Sequence, residues 1–300
     1  MSTVRVRVPG KVNLALRVGE TDAEGYHLLG TIFQAVSLSD LITVETAEPG
    51  QFRLSFHGEG AGFLPVDDTN LAMRAAKLVA SHFGIDDAGA AISIRKRIPV
   101  AGGMAGGSAD AAGTLLACSE LWGVHAPRDV LRQLGAQLGS DVPFLLMGGT
   151  AHGSGRGEIL EPIATTGAFH WVFALSHSGL STPAVFRQFD RISQPQPTDI
   201  PAPLLEALHA GDVHAVGAHL TNDLQRAAIN LQPTLQHTLQ LGLEHGALGA
   251  VVSGSGPTCA FLTASEHDAE ALGKQLALFS GVRTVRVSTG PVAGAQVVRD

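Results

Sequence analysis

Residues 99–112 read PVAGGMAGGSADAA. An alternating, strand-like run at residues 91–95 precedes this stretch, and an alanine-rich helical pattern continues from it to Ala117. The order of strand, glycine loop and helix start predicts a phosphate cradle, because glycines let successive N–H groups converge on one anion and the first helical turn leaves its N–H groups unpaired. The stretch lacks the Gly-Lys-Ser/Thr ending of a P-loop and does not match the dinucleotide fingerprint. A glycine loop alone is a weak signal, so its meaning depends on the motifs that accompany it.

The composition is that of a globular protein with a sizeable core. The chain has 300 residues, of which 45% are hydrophobic and 16% charged, and it has no long polar tract that would indicate disorder. No apolar run reaches the roughly 18 to 20 residues that span a bilayer, and residues 1–8 alternate like a strand instead of forming a signal peptide. The net charge of −7 argues against a nucleic-acid binder, which needs a basic face. Cys118 and Cys259 are too few for a disulfide framework or a zinc site, so we expect a cytoplasmic protein.

Hydrophobic periodicity predicts an α+β protein. The first half is β-rich, with strands at residues 3–8, 12–18, 41–46, 53–57 and 91–97 and helices at 70–83 and 127–139. Asp68 or Thr69 is expected to cap the first of these helices. The second half has helices at 183–189, 203–209, 213–220, 233–245 and 265–279, strands at 171–175, 249–253 and 258–262, and a last strand pair at 282–287 and 295–298. A composition shift near Glu161 predicts two α+β domains, residues 1–160 and 161–300.

Two further motifs each carry one charged residue that could take part in chemistry. PGKVNL at residues 9–14 sits between two predicted strands, and it is either a β-turn with an exposed lysine or a rigid strand start that delivers Lys11 beside the amide of Asn13. GSDVPF at residues 139–144 places Asp141 between a helix end and an apolar strand. Such an aspartate usually caps a turn, but it can also be a catalytic carboxylate held on a rigid element.

Two other motifs have equally open interpretations. GYH at residues 25–27 contains Tyr26, the single tyrosine of the chain, next to His27. The pair is either turn and core packing or a stacking face with a hydrogen-bonding group for a base or sugar. SGSGPT at residues 253–258 is either a hairpin turn or a glycine turn that lets the backbone approach a ligand closely.

The order of these motifs along the chain resembles the GHMP kinase superfamily, and the resemblance covers nearly all of the sequence. PGKVNL, the GYH loop followed by Phe33 and Gln34, and GSDVPF narrow it to the kinases that act on 4-diphosphocytidyl-2-C-methyl-D-erythritol. The resemblance implies a two-domain α+β fold, with an N-terminal domain like domain 2 of ribosomal protein S5 and a ferredoxin-like C-terminal domain. It implies ATP-dependent phosphorylation of the substrate's 2-hydroxyl, a step of the methylerythritol phosphate route to isoprenoid precursors, in a cleft between the domains.

The resemblance also implies a role for each site residue. Asp141 would accept or orient the proton of the acceptor hydroxyl, Lys11 would stabilise the transferring phosphoryl group, and Asn13 would orient the acceptor. For cytosine, Tyr26 and Phe186 would stack on the base and His27 would hydrogen-bond it. ATP, with Mg²⁺, would be bound by residues in and around the glycine loop: Pro99, Ala101, Gly102, Gly103, Met104, Ala105, Gly106, Gly107, Ser108, Asn70 and Lys96, the last two near adenine. The sequence assigns no metal ligands and no role to Arg156.

Departures from the superfamily pattern keep other functions open. Ala101 and Ala105 stand where glycine is common and Ala109 where serine is common; alanine keeps the loop small but costs freedom at positive φ. The alternatives are a GHMP kinase for another alcohol such as mevalonate or homoserine, and a nucleotide-binding module without turnover, which retention of both Lys11 and Asp141 disfavours. A nucleic-acid role for the S5-like half is disfavoured by the acidic charge. We expect no membrane or nucleic-acid partner, and a monomer or homodimer.

Overall fold

The first half of the chain begins with three strands, of which the first two are long, and continues with four helices and three shorter strands. The computed structural model describes residues 2–298. Residue 1 of the first predicted domain and residues 299 and 300 of the second lie outside the described residues. In chain order the elements are β1 (Thr3–Thr21), β2 (His27–Thr46), β3 (Phe52–Gly58), α1 (Leu71–His82), β4 (Ala90–Lys96), α2 (Gly106–Leu121), α3 (Arg128–Leu138), α4 (Val142–Met147), β5 (Thr150–Ser154) and β6 (Ile159–Pro162).

The second half has shorter strands and more helices. Its elements are β7 (Phe169–Leu175), α5 (Thr182–Ile192), α6 (Ala202–Ala210), α7 (Val213–Ala218), β8 (Thr221–Asn222), α8 (Gln225–Leu231), α9 (Thr234–Glu244), β9 (Gly249–Val252), β10 (Cys259–Thr263), α10 (Glu266–Leu276), β11 (Thr284–Gly290) and β12 (Gln296–Val297).

The first sheet is arranged around β1 and β2. Its order is β12-β1-β2-β4-β3, with β5 paired to the other end of β2, β6 to β5, and β8 to β1. Helix α2 packs against β1 and β2, and twelve of its sixteen residues are buried. Small residues make this packing possible: a Cβ on Gly113 would come within 2.6 Å of Val8 Cγ2. The alanine-rich pattern therefore marks a helix that is buried on nearly all sides.

The second sheet has the order β11-β7-β10-β9, and all of its neighbours are antiparallel. Numbered within this half as 4-1-3-2, that order is the ferredoxin-like arrangement, which confirms the predicted fold class. Along β7 the side chains alternate between two cores. Trp171 and Phe173 pack into the core of the first sheet, whereas Val172 and Ala174 pack under α10. The two sheets therefore share buried surface.

Three strand predictions for the first sheet are wrong or incomplete. The two predicted strands at 3–8 and 12–18 form one strand, β1, and the expected turn at Pro9 is a register shift within it. Proline has no N–H to donate to the hydrogen-bond ladder between strands, and a bulge accommodates a residue that does not pair. Residues 27–40, for which no strand was predicted, belong to β2. As a consequence, Lys11 lies inside a strand and is buried.

Other differences concern short apolar runs and long-range pairing. The predicted strand after Asp141 is the helix α4, since a short apolar run does not distinguish a buried strand from a buried helix. The predicted last strand pair is wrong as well: β11 pairs with β7, and β12 returns to β1. Asn70 caps α1, not Asp68 or Thr69. The division at residue 160 falls inside β6 and stays a prediction.

Two expectations from composition can be compared with the described part of the chain. No helix within residues 2–298 is long and apolar enough to cross a membrane. Cys118 and Cys259 are both buried and free. Burial raises the pKa of both thiols, that of Cys259 to about 12, so both remain protonated and unreactive at neutral pH.

Candidate active site

The glycine loop joins β4 to α2 in a strained conformation. Ala101, Gly103 and Ala105 have φ angles of 51°, 76° and 60°, and the left-handed region costs alanine about 1–2 kcal/mol. The expected cost of alanine in this loop is thus confirmed. No side chain caps α2 at Ala105, which leaves the N–H groups of its first turn available to an anion.

A buried ion cluster ties the loop to the sheet. Lys96 Nζ donates to Asp40 Oδ2 at 2.7 Å, to Asp110 Oδ2 at 2.9 Å and to the carbonyl of Gly106 at 3.0 Å. Asp40 Oδ1 also accepts from the N–H groups of Arg97 and Ile98. The cluster therefore holds the end of β4 and the start of α2 against β2.

The protonation of this cluster follows from its burial. Burial opposes charge on Lys96, but Asp110 and Asp40 outweigh that cost and raise the pKa of Lys96 above its usual value. Burial, countered in part by Lys96, raises the pKa of Asp110 to about 8. Asp110 Oδ1 is buried without a hydrogen-bond partner. At neutral pH the cluster therefore holds a charged Lys96 and a protonated Asp110.

The C-terminal glycine turn, residues 253–258, packs on the same loop. Ser253 Oγ donates to the carbonyl of Gly103 at 3.1 Å, and a Cβ on Gly103 would lie 1.8 Å from the carbonyl oxygen of Ser253. Glycine is required at that contact. On the other side of the turn, Asn222 Nδ2 donates to the carbonyls of Val252 and Gly254 at 2.7 Å each. The turn therefore lies close to the glycine loop, and its close approach to a ligand stays a prediction.

Lys11 and Asp141 face each other beside the loop. The Lys11 ammonium is 3.9 Å from Asp141 Oδ2 and donates to Asn13 Oδ1 at 2.6 Å. Asn13 Nδ2 in turn donates to Thr31 Oγ1 at 2.8 Å, so both ends of the Asn13 amide are used. Burial, only partly offset by Asp141, lowers the pKa of Lys11. The site therefore contains a buried cation that lacks a close carboxylate.

A cavity of about 340 Å³, the loop cavity, brings the motifs together. Its lining residues come from β1, the glycine loop, the start of α2, the turn before α4 and the C-terminal turn. Predicted site residues among them are Lys11, Asn13, Pro99, Ala101, Gly102, Gly103, Ala105, Gly106, Gly107, Ser108, Asp141 and Phe186. The same walls carry Ser140, Arg156 and Thr182, which sequence reasoning did not assign.

A second cavity of about 810 Å³, the Tyr26 cavity, adjoins the loop cavity. Tyr26, His27 and Phe186 line it. The His27 ring stacks on Phe186 with centroids 5.5 Å apart, while its Nδ1 lies 2.7 Å from the carbonyl of Gly19 and its Nε2 2.9 Å from Asp190 Oδ1. Both cavities share Leu29, Ser140, Arg156, Thr182 and Phe186 as lining residues.

A third cavity of about 880 Å³, the outer cavity, lies on the other side of the loop. It is bounded by the end of β4, the turn after β3, and β11. Its basic residues include Arg97, Arg283 and Arg286, and Arg283 pairs with Glu59 across it at 2.6 Å. This volume can hold a group as large as a purine.

Three residues predicted to contact ATP have side chains with partners inside the protein. The Lys96 ammonium is engaged by its three internal partners, so only its backbone can reach a ligand. Met104 is fully buried in the core. Asn70 Oδ1 accepts from the N–H of Ala72 and its Nδ2 donates to the carbonyl of Pro65, and it lines none of these three cavities. Each of these side chains has a structural contact, and the contact of each residue with ATP stays a prediction.

Both halves of the chain match one family of proteins. Residues 70–149 match the description GHMP kinases N terminal domain, and residues 204–279 match GHMP kinases C terminal. The chain belongs to the GHMP kinases. It is therefore a small-molecule kinase with ATP as the phosphoryl donor.

Relatives that match over nearly the full length carry one name. The 4-diphosphocytidyl-2-C-methyl-D-erythritol kinase of Mycolicibacterium smegmatis is 54% identical over 301 residues, which covers 99% of this chain and 92% of that protein. The kinase of that name from Mycobacterium tuberculosis is 52% identical over 299 residues, with 99% and 93% covered. A crystal structure of 4-(cytidine 5'-diphospho)-2C-methyl-D-erythritol kinase has a TM-score of 0.76 and 32% identity, covering 95% of this chain and 98% of that chain. The resemblance drawn from the motifs is confirmed.

The fold alone does not separate this chain from kinases with other names. The homoserine kinase of Cytophaga hutchinsonii has a TM-score of 0.77 with only 18% identity, and covers 99% of this chain and 98% of that one. That similarity is as high as the previous one, although the sequences have diverged much further. Acceptor choice therefore depends on the residues that line the cavities.

Proposed function

We propose that the chain transfers the γ-phosphoryl group of ATP to the 2-hydroxyl of 4-diphosphocytidyl-2-C-methyl-D-erythritol, a step of the methylerythritol phosphate route to isoprenoid precursors. The observation that carries this proposal is the junction of two cavities. The loop cavity holds the cradle with Lys11 and Asp141, and it opens onto the Tyr26 cavity, whose aromatic walls are separate from the phosphate loop. A substrate with a base at one end and a reacting alcohol at the other fits that division.

In this proposal the loop cavity performs the chemistry by positioning and charge. The N–H groups at the start of α2 bind the ATP phosphates, and Asp141 accepts or orients the proton of the attacking hydroxyl. Lys11 stabilises the negative charge of the transferring phosphoryl group. Its ammonium is buried and incompletely compensated, so an anion placed beside it gains more than it would beside a solvated lysine. Asn13 holds the ammonium through its Oδ1, and the second N–H of its Nδ2 orients the acceptor in the loop cavity that Asn13 lines.

Mg²⁺ is part of the proposal and was tested against the residues that are present. No group of three or more His, Cys, Asp or Glu side chains that could hold a metal occurs among residues 2–298. Mg²⁺ nonetheless suits a site with few protein ligands, because substrate phosphates and water complete its shell. The Ser108 hydroxyl, in the first turn of α2 and lining the loop cavity, is the ligand we assign. When bound there, the ion would neutralise charge on the phosphates.

The Tyr26 cavity is assigned to cytosine. Stacking on Tyr26 and Phe186 contributes about 1–3 kcal/mol per base. His27 already holds the carbonyl of Gly19 and the carboxylate of Asp190, so a hydrogen bond from its Nε2 to the base requires Asp190 to move. Asp190 is half exposed and can be solvated when it is released.

The outer cavity is assigned to adenine, with the end of β4 at its edge. Arg97 and the backbone of Lys96 supply that edge. A cytoplasmic location and a monomeric or homodimeric state belong to the same proposal, as does the division into domains at residues 1–160 and 161–300.

An ADP-release assay with ATP and Mg²⁺ tests the function. It should run with the cytidylyl substrate and, in parallel, with mevalonate and homoserine. We expect turnover with the cytidylyl substrate alone. Turnover with mevalonate or homoserine alone would assign the chain to another acceptor, and ATP binding without turnover on all three would favour a binding module.

Calorimetry with CDP separates the base site from the chemistry. The wild-type protein should bind CDP without ATP, because the Tyr26 cavity is built independently of the phosphate loop. A kinase for mevalonate or homoserine does not bind a base as part of its acceptor, so calorimetry would detect no binding of CDP.

A further inference from the structure

Arg156 lies in the turn between β5 and β6 and reaches across to the turn that carries Tyr26. Its guanidinium carbon sits 4.2 Å from the centroid of the Tyr26 ring, well inside the distance at which a cation is attracted to an aromatic face. The same group pairs with Asp22 at 2.7 Å and with Glu24. One side chain therefore contacts three residues of the turn between β1 and β2.

Asp22 transmits this contact to the backbone of the turn. Its Oδ1 accepts from the N–H groups of Glu24 and Tyr26 at 3.0 and 2.9 Å, while its Oδ2 accepts from Arg156 Nε at 2.9 Å. The hydrogen bond from Arg156 is the largest cause of a lowered pKa of Asp22. The turn is thus closed by a carboxylate that Arg156 keeps charged and oriented.

Arg156 is itself held in place. Its N–H donates to Glu158 Oε2 at 2.7 Å, and the carbonyl of the preceding Gly155 accepts from the N–H of Leu29 at 2.7 Å. Tyr26, by contrast, is 58% exposed, too much for packing alone to fix its ring. The orientation of the ring therefore depends on the guanidinium that covers one of its faces.

Charge indicates which ligand group this cluster can serve. Asp22 and Glu24 pair with the guanidinium of Arg156, and Glu158 accepts from its backbone N–H, so acidic side chains outnumber the guanidinium in this cluster. A site with that balance repels a diphosphate. The cluster can still hold an aromatic ring, because the ring stacks on the planar face of the guanidinium whereas carboxylates bond to the N–H groups at its edge.

Resting on the proposed function, we propose that Arg156 is a specificity-determining positioning residue that holds the Tyr26 ring where a pyrimidine base stacks on it. The effect of Arg156 passes through Tyr26 and not through contact with the reacting atoms. Arg156 also lines the loop cavity, but its guanidinium is engaged by Asp22, Glu24 and Tyr26. Removing it therefore leaves the Lys11–Asp141 pair in place and lets the ring move.

The test compares Arg156→Met with Arg156→Lys and with a matched control. Arg132→Met is that control, because Arg132 is exposed to the same extent, 36% against 37%, and also pairs with an aspartate, Asp129. We expect Arg156→Met to raise KM for the cytidylyl substrate and Kd for CDP about tenfold, about 1.4 kcal/mol, with much smaller changes in kcat and in KM for ATP. Arg156→Lys should recover part of the loss, and Arg132→Met should match the wild type.

A double variant decides whether the effect passes through Tyr26. In a Tyr26→Leu background, Arg156→Met should cost nothing further in CDP affinity, because the ring that it positions is gone. Additive losses would overturn the proposal, as would unchanged CDP binding in Arg156→Met or an equal loss of ATP affinity. Absence of CDP binding by the wild type would instead contradict the proposed function, so the two failures are distinguishable.

Discussion

Two buried lysines flank the glycine loop, and their surroundings differ in one respect. Lys11, on β1, and Lys96, at the end of β4, are 5% and 3% exposed. Lys96 is bound to two carboxylates at hydrogen-bond distance. Lys11 has one carboxylate 3.9 Å away and an amide oxygen at 2.6 Å. The two lysines are buried to the same extent, but nearby carboxyl groups compensate the charge of Lys96 more fully than that of Lys11.

Under the proposed function, the difference separates a lysine that holds the fold from one that serves a ligand. The two carboxylates raise the pKa of Lys96, whereas burial lowers the pKa of Lys11. A compensated cation gains little from an arriving anion, and an uncompensated one gains much. Four substitutions can break or sharpen this contrast.

Replacing Lys96 should have the largest effect, and it should be on stability. Lys96→Met leaves Asp40 and Asp110 buried without a cation, which costs about 3–5 kcal/mol in the free energy of unfolding. Urea denaturation measures it. Lys77→Met is the control, because Lys77 pairs with Asp68 at the surface, and exposed pairs contribute little. A Lys96→Met protein as stable as the wild type would remove the structural role.

Replacing Lys11 should have the opposite pattern. Lys11→Met is expected to lower kcat by about 10²–10³, the scale for losing one charge-stabilising group. Its urea midpoint should stay the same or rise, because a poorly compensated buried charge is gone. Steady-state ADP release and urea denaturation check both halves, with exposed Lys274→Met as the control. A Lys11→Met protein that keeps full turnover, or that is unfolded, would contradict the contrast between Lys11 and Lys96.

Replacing Asp141 sharpens the role of the carboxylate that faces Lys11. Asp141→Asn keeps the shape of the side chain but cannot accept a proton, so kcat should fall by at least about 10². KM for ATP should stay near that of the wild type, because the phosphates rest on the loop. Steady-state kinetics on both substrates measures this, and unchanged turnover would remove Asp141 from the mechanism.

The smallest effect is a dependence of stability on pH. The folded pKa of Asp110 is raised to about 8, above the unfolded value of about 3.9. The stability that this proton provides is complete below about pH 4 and is lost as pH rises through about 8, with a slope of up to about 1.4 kcal/mol per pH unit.

Asp110→Asn removes that titration and keeps the shape of the group. The free energy of unfolding of the wild type relative to Asp110→Asn should therefore decrease from pH 6 to pH 8. Urea denaturation of both proteins at pH 6, 7 and 8 measures the difference. A difference that does not change with pH would place a charged Asp110 in the cluster.

Local pattern was enough to predict the phosphate loop and most helices. Residues 99–112 predict a turn and a helix start because glycine and alanine act on the backbone within a few residues. Short apolar runs failed in the same sequence. Residues 142–147 form a helix where a strand was expected, since six apolar residues fit either structure and only their neighbours decide.

The sequence by itself predicted which residues belong to the candidate site: the loop, Lys11, Asp141 and the Tyr26–His27 pair all lie at the cavities. Only the tertiary structure decided which partners surround each charged side chain. Nothing near Lys96 in the sequence identifies Asp40 as its partner, 56 residues away, and nothing near Arg156 identifies Asp22, 134 residues away. Burial and charge compensation are properties of packed neighbours from distant segments, so they arise only when the chain has folded.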